Sequence, residues 1–509
     1  MRKKTSETIG KTKPAVSKSR ARKTKPIKVL FATGEALPYV KTGGLADVAG
    51  ALPVELARLG VEPVIFLPEY RGIREKFNLE PTGIKVWVPI LEYENTVLKE
   101  GEVFTTERNG VRAFFLKNDE FYDREYLYST PQGDYKDNAV RFIFYARGLM
   151  EFIKAGGFSP DVIHCHDWQA GLAPVYIKTL YKDEPGIKGI KTLLTIHNLA
   201  YQGIFWAFDI KQIGLDWSYF TPDLLEFYGQ VNFLKGGLVY ADLINTVSKK
   251  YAEEIQTPEF GCKLEGVLTA RRQDLFGIVN GIDYSVWNPE TDEHIPAKFS
   301  AKDLSGKKVC KAELKKELGL EHGDAPLIGI ISRLADQKGL DIVAESLDEI
   351  LGMGYQVVIL GTGQDKYHNL FKSLAEPCKG KASFRIEFND PLAHRIEAGA
   401  DLFLMPSRYE PCGLNQLISL KYGTVPVVRA TGGLDDTIEN FDPATGKGTG
   451  FKFVDATKEA MMTALKSALE IYRQPKLWEK LVKNGMKKDF SWKSSAKEYV
   501  KLYKKLLGK

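Results

Sequence analysis

The chain has 509 residues, 44% of them hydrophobic and 27% charged, which is too long for one ordinary core and ordinary in composition for a soluble globular protein of two domains. Its net charge of +6 arises at one end: ten of the 71 Lys/Arg and one of the 65 Asp/Glu lie in residues 1–26, leaving 61 bases against 64 acids elsewhere. A nearly neutral body gives no footing for a nucleic-acid partner, and no apolar run approaches the roughly 20 residues of a membrane span. Five cysteines (Cys165, Cys262, Cys310, Cys378, Cys412) form no CxxC pair and leave an odd one over, which fits a reducing compartment better than a disulfide framework.

Residues 1–26 carry Lys, Ser, Thr and Pro without apolar periodicity and read as a disordered basic tail. They lack the apolar core of a secretory signal; an organelle transit peptide is the minor alternative to a cytoplasmic protein. Ile27–Thr33 reads as the first strand, followed by the loop Gly34–Gly44, an amphipathic helix Leu45–Arg58 and a strand Glu62–Leu67, a βαβ unit opened by a Gly-Gly turn. Residues 83–117 alternate as extra strands or hairpins would. A helix over 137–154, a strand Asp161–His166, a helix over 170–180 and strands Lys191–Ile196, Leu243–Thr246 and Phe276–Gly281 complete a first doubly wound unit. The polar stretch 288–308 resembles a linker. Alternation then restarts with strand Leu327–Ile331, helix 339–351, strand Gln356–Leu360, helix 364–376, and strands Ser383–Glu387, Ala400–Met405 and Val425–Val428. Two consecutive α/β/α units of similar size imply a cleft between them. Lys-rich helices over about 457–509 end the chain.

The most informative stretch is Pro406-Ser-Arg-Tyr-Glu-Pro-Cys-Gly-Leu-Asn415. It sets one carboxylate, Glu410, in a tight turn between a buried strand and a helix, at the strand end where open α/β sheets bind ligands. The helix start beside it suits an anion. A capping Glu410 and a merely packed Cys412 are the plainer alternative. Ser332-Arg-Leu-Ala-Asp-Gln-Lys-Gly339 opens another helix with Arg333 and Lys338 five apart, a pair able to grip a diphosphate by fork and point charge. Three glycine loops fall at strand ends: Lys41-Thr-Gly-Gly44, Gly361-Thr-Gly363 and Thr431-Gly-Gly433. The second is no dinucleotide fingerprint, since Lys366 stands where the third glycine belongs, and no GxxxxGK[ST] occurs. His164 and His166 lack a matching ligand pair, so no metal site is expected. Asp167 reads as an acceptor-side carboxylate with Trp168 as a sugar platform, against a capping Asp and a core Trp. His197 and Asn280 end strands and are either sugar ligands or a core histidine and a turn residue.

Lys41–Val48, His166–Trp168, Ile196–Gly203, Asn280–Asp283, Ser332–Gly339, Glu410–Gly413 and Thr431–Gly433 occur in that order. Together they resemble the bacterial glycogen synthase and plant starch synthase family, from about residue 27 to the C-terminus. The resemblance implies a GT-B fold, two Rossmann-like domains around a deep cleft. It implies metal-free, cofactor-free transfer of glucose, with retention, from a nucleotide-glucose, usually ADP-glucose, to the 4-hydroxyl at the non-reducing end of an α-1,4-glucan such as glycogen or starch. Neither a nucleic acid nor a membrane is an expected partner.

Carried onto this chain, the resemblance gives Lys41 with the Gly43–Gly44 backbone, Arg333 and Lys338 to the diphosphate. Glu410 takes the donor glucose hydroxyls, oriented by Asn280 and His197, with the His197 carbonyl near the anomeric carbon. Cys412, Gly413, Leu414, Asn415, Thr431, Gly432 and Gly433 border the nucleotide sugar, and Asp47, Asp167 and Trp168 lie toward the acceptor. Two departures stand out: Asn415 where the family often has Thr, and Phe388 where an aromatic, commonly Tyr, stacks on adenine. The expected partition is an N-terminal acceptor-side domain over 27–280, a nucleotide-sugar domain over 281–490 and a helix over 491–509 crossing back. Rival readings are a GT-B enzyme making sucrose, trehalose or a glycolipid, a pyridoxal-phosphate glucan phosphorylase, and a non-catalytic glucan-binding scaffold.

Overall fold

The computed structural model describes residues 25–92 and 95–509; the basic tail expected over 1–26 lies outside them except for Lys25 and Pro26. Nine strands of the described residues form one sheet: Lys28–Ala32 (β1), Glu62–Pro68 (β2), Glu80–Glu92 (β3), Asn95–Arg108 (β4), Val111–Lys117 (β5), Val162–His166 (β6), Lys191–Ile196 (β7), Leu243–Thr246 (β8) and Leu275–Gly277 (β9). Their spatial order is β9-β8-β7-β6-β1-β2-β5-β4-β3. Seven run parallel, and β3 and β4 add an antiparallel hairpin at one edge. The central strands are continuous apolar runs because helices cover both faces. Leu30, for instance, lies between Val64 and Ile163 in register, and all three are buried. In β3 burial alternates with exposure along Ile84–Ile90, as one solvent-facing side requires.

A second sheet, wholly parallel, takes Leu327–Ile331 (β10), Gln356–Leu360 (β11), Ala382–Arg385 (β12), Leu402–Met405 (β13), Val425–Arg429 (β14) and Phe451–Phe453 (β15) in the order β12-β11-β10-β13-β14-β15. β10 and β13 are neighbours although two strands separate them in the chain, so the connections leave in opposite directions at this point. That switch opens a crevice at the carboxyl ends of the strands, where Arg333 follows β10 and Glu410 follows β13.

The two units are joined twice. Ile282 N–H donates to Phe490 O at 2.8 Å, and Ile282 bridges Ser491 in parallel, so the outgoing and returning chains run side by side. The last helix, Trp492–Leu506, buries Trp492, Ala496, Tyr499 and Tyr503 in the core of the first sheet. Its Tyr503 hydroxyl meets His164 Nδ1 at 2.8 Å, and Asn245 Nδ2 donates to the Tyr499 hydroxyl at 3.2 Å.

The stretch 288–308 is not a linker. Ile295 and Phe299 pack with Leu417 and Tyr422, Asp292 is buried and accepts from Tyr422 at 2.6 Å while pairing with His394 at 2.7 Å, and a helix begins at Ser305. A polar average hid apolar anchors spaced several residues apart. The helix expected over 170–180 is also shorter, a 3-10 turn Trp168–Ala170 and then Leu172–Lys178. Residues 204–232, unassigned from the sequence, make a small antiparallel patch of Ile204–Trp206, Gln230–Asn232 and Glu226–Phe227. No helix among the described residues is long and apolar enough to cross a membrane.

Candidate active site

Glu410 is buried in the turn after β13, and its Oε2 accepts from Lys338 Nζ at 2.6 Å and from Ser407 Oγ at 3.0 Å. Lys338 reaches it because Gly339 lies at φ +65, where a Cβ would stand 2.1 Å from Pro406 O; only glycine lets the two loops touch. Gln337 Nε2 donates to Tyr409 O at 3.1 Å, tying the loop after β10 to the acidic turn. Arg333 donates to Gln337 Oε1 and to the Tyr201 hydroxyl, both at 3.3 Å, and Tyr201 belongs to the first unit. A buried carboxylate, an ammonium and a guanidinium therefore stand together at the crevice, with the charge pair compensating burial that neither group would tolerate alone.

The side chains at the helix start after Glu410 are engaged internally. Asn415 Nδ2 donates to Ile331 O at 2.6 Å. Cys412 is buried, and burial pushes its thiol up to about 12, so it packs and is no nucleophile. Gly433 N–H donates to Glu410 O at 3.1 Å, and Gly432, at φ +45, passes so close that a Cβ would be 2.0 Å from that oxygen. Asn280 is buried with its Oδ1 unpartnered, an acceptor held ready for a hydroxyl or water. Phe388, 84% exposed between β12 and the helix Asp390–Gly399, presents a free aromatic face.

Across the crevice, His197 N–H donates to Asp167 Oδ1 at 2.7 Å, and its Nε2 meets His166 Nδ1 at 2.9 Å. Burial holds the His197 imidazole down to about 3, and pushes His164 and His166 well below the usual range. The three rings are neutral near pH 7. His164 is further engaged by Thr195 Oγ1 at 2.6 Å, so the His164/His166 pair does not turn toward a shared ion. Asp167 is buried at φ +55, and burial pushes its carboxyl up to about 7 against the His197 and Asn198 amides.

Trp168, expected as a sugar platform, turns its ring into the core. Its indole is 8% exposed, lies edge-on to Phe142 and Phe205, and is roofed by Gly203, whose Cβ would stand 2.5 Å from the ring. An Asp-Trp pair at a strand end reads the same in sequence whether the ring turns in or out.

The loop Lys41–Gly44 sits apart from this cluster. Lys41 Nζ pairs with Asp47 Oδ1 at 2.8 Å. Gly43 N–H is held by Glu35 at 3.2 Å, and the same carboxylate takes the Thr42 amide and hydroxyl at 2.5 Å each. A Cβ at Gly43 or Gly44 would meet nothing within 4 Å, so no internal packing demands glycine there, and the open backbone suits an approaching ligand. Burial raises the Asp47 carboxyl, with Lys41 opposing and Asp390 of the second unit adding to the rise; the loop thus faces that unit. Among the described residues, His294, Asp390 and His394 bring ligand atoms within 4.8 Å of one another, a group distinct from the Glu410 pair. Sequence reasoning missed Glu35, Glu254, Ser407 and Tyr201. Ser407 and Tyr201 lie inside motifs already singled out, and Glu35 stands two residues beyond the expected first strand, whereas Glu254 gave no signal.

Known proteins resemble this chain along nearly its whole length. The Starch synthase catalytic domain model matches residues 28–270, and the Glycosyl transferases group 1 model matches residues 311–488. The glycogen synthase of Koribacter versatilis is 48% identical over 479 residues, spanning 94% of this chain and 98% of that protein. The chain belongs to the glycogen synthase family. The glycogen synthase of Syntrophotalea carbinolica is 46% identical over 94% of this chain and 98% of its own length. Among solved structures, the catalytic domain of starch synthase IV from Arabidopsis thaliana, bound to ADP and acarbose, superposes with a TM-score of 0.87 at 32% identity, covering 95% of this chain and all of that one. A sucrose-phosphate synthase from Thermosynechococcus elongatus, at 15% identity and TM-score 0.57 over 95% of this chain and 99% of that one, shares the fold. The expected GT-B architecture is therefore present, and this glycogen synthase family member is a glucosyltransferase.

Proposed function

We propose that the chain elongates an α-1,4-glucan, glycogen or starch, by moving glucose from ADP-glucose to the 4-hydroxyl at the non-reducing end, with retention and in the cytoplasm. The observation that carries this reading is the Lys338–Glu410 pair with Arg333 beside it, in a crevice at strand ends. Arg333 and Lys338 grip the diphosphate, and Lys41 with Gly43–Gly44 closes on it from the other side. Phe388 stacks on the base. Residues 412–415 and 431–433 border the nucleotide sugar, and the Asn280 oxygen takes a donor hydroxyl. Residues 27–280 form the acceptor side with Asp47 and Asp167, residues 281–490 the nucleotide side, and 491–509 the return to the first unit.

In the free enzyme Glu410 neutralises Lys338. When the donor arrives, Lys338 gains a phosphate partner and Glu410 turns its oxygens to the sugar hydroxyls. The bond from C1 to the phosphate oxygen breaks, C1 bonds to O4 of the acceptor on the same face, and the O4 proton passes to the leaving phosphate oxygen, releasing ADP. Negative charge grows on the diphosphate in that step, so the two cations favour the transition state over the bound donor. His197, neutral, contributes its backbone carbonyl beside C1 and orients the ring.

The test is glucose incorporation into glycogen from ADP-glucose and UDP-glucose in EDTA. Faster incorporation from ADP-glucose is expected; a UDP-glucose preference overturns the choice of donor, and no incorporation from either overturns the acceptor.

A further inference from the structure

The helices Lys249–Glu254 and Gly432–Thr437 belong to opposite units, and each ends the other's free amides. Glu254 accepts from Gly432 N–H at 3.1 and 3.0 Å with its two oxygens, and from the Thr431 hydroxyl at 3.2 Å with each. Asp436 Oδ2 accepts from Lys249 N–H at 2.6 Å and Lys250 N–H at 3.0 Å. The first amides of a helix have no partner within it; here each set is capped by an acid from the far part of the other helix, so the two lie antiparallel with dipoles opposed favourably. Glu254 is buried, and Asp436 is exposed.

The Glu254 contact leads to the reacting groups. It holds Gly432, whose backbone lies against Glu410 O, and the next amide, Gly433, donates to that same oxygen. The Asp436 contact ends on the first unit, at the Lys249 and Lys250 amides. The pair also lies beside the joints between units: Gly277 abuts the backbone of Ser248 and Lys249, one residue before the crossing that runs from Ile278 to Ile282. A rotation about that crossing displaces nearby atoms least, so contacts there can persist while the outer cleft closes.

We infer that Glu254 and Asp436 form a reciprocal clamp at the pivot between the units, and that Glu254 is a positioning residue that fixes the Glu410 turn relative to the acceptor side. The inference rests on the role of Glu410 proposed above. Glu254 touches no substrate in this account. Its carboxylate sets where Gly432 and Gly433 lie, and these seat Glu410. A sub-ångström shift there separates the acid from the sugar hydroxyls at a large cost in rate.

The test uses full-length Glu254→Gln, Asp436→Asn and Glu410→Gln, reading kcat, donor and glucan KM, and thermal midpoint. Glu254→Gln is expected to lower kcat about tenfold with each KM within about twofold and the midpoint little changed, because its amide oxygen accepts only part of what two oxygens accept. Asp436→Asn should retain kcat. Full kcat in Glu254→Gln overturns the clamp's role in positioning. So does an equal loss of kcat in both clamp variants that tracks a fall in midpoint, which makes the contact structural only. If Glu254→Gln does not fold, Glu254→Asp, which keeps the charge but draws the carboxylate back by one methylene, should lower kcat about two- to threefold with KM unchanged, and unchanged kcat there overturns it equally. Glu410→Gln separates the two ideas, since full activity in that variant sinks the proposed role of Glu410, whereas an inactive Glu410→Gln with a fully active Glu254→Gln sinks the clamp alone.

Discussion

At the scale of single residues, one carboxylate does what its partners dictate. Glu410 is buried with Lys338 Nζ 2.6 Å away and a further hydrogen bond from Ser407. Removing one partner of such a pair strands the other charge at a cost of about 3–5 kcal/mol. Glu410→Gln keeps the shape and an oxygen for Ser407 but leaves Lys338 without its counter-charge. Steady-state kinetics should show kcat lower by about two orders of magnitude and donor KM changed far less, since in the proposed mechanism Arg333 and Lys338 still meet the diphosphate; a variant near full activity would remove Glu410 from the mechanism. Trp168 teaches the opposite lesson. Its neighbours Phe142, Phe205 and Gly203 claim the ring, and no feature of the dipeptide Asp-Trp foretold that.

At the scale of elements, the helix Asp390–Gly399 carries a titratable group into the second core. Glu397 is buried, accepts from Ser419 Oγ at 2.7 Å, and has its other oxygen unpartnered. Burial raises its carboxyl to about 8, with Ser419 and Lys307 opposing. The unfolded chain releases this proton near the ordinary carboxylate value of about 4.3, so the folded state holds the proton more tightly between that pH and about 8. The stabilisation from Glu397 is complete below that window and is lost as pH rises through it. Lys307, pushed down to about 8 by burial, alters stability only above the window. Glu397→Gln should therefore flatten the pH dependence: relative to the parent, its thermal midpoint should gain a few degrees between pH 5 and pH 8. Parallel curves for the two proteins would refute this.

At the scale of the whole molecule, the units are tied beside the pivot and meet across the cleft where Arg333 reaches Tyr201. The Ile282–Ser491 bridge and the helix Trp492–Leu506 fix one end. Lys41 pairs with Asp47 and Arg333 reaches Tyr201, cations resting on neutral or acidic partners. Supplying a diphosphate offers both a stronger counter-charge and so favours closure. Small-angle scattering with ADP and a maltooligosaccharide should show the radius of gyration fall by about 1 Å from roughly 23 Å; an unchanged radius would rule closure out.

Apolar runs and their spacing determined the doubly wound units, because a strand covered by helices on both faces must be largely apolar, as in residues 29–32 and 357–360. The order of the loops carrying Lys41, His197, Arg333 and Glu410 was equally legible, since strand ends and helix starts can be read locally. What each side chain meets there was decided only by the tertiary structure. Glu254 lies 177 residues from the Thr431 hydroxyl and 178 from the Gly432 amide that it accepts from, Glu35 holds an adjacent loop that could as well have held itself, and the apolar anchors of 288–304 find their cores far along the chain. The physical reason is the same in each case. A backbone period is written in neighbouring residues, whereas the partner of a buried charge or a loose aromatic ring is whichever group packing brings within about 3 to 4 Å.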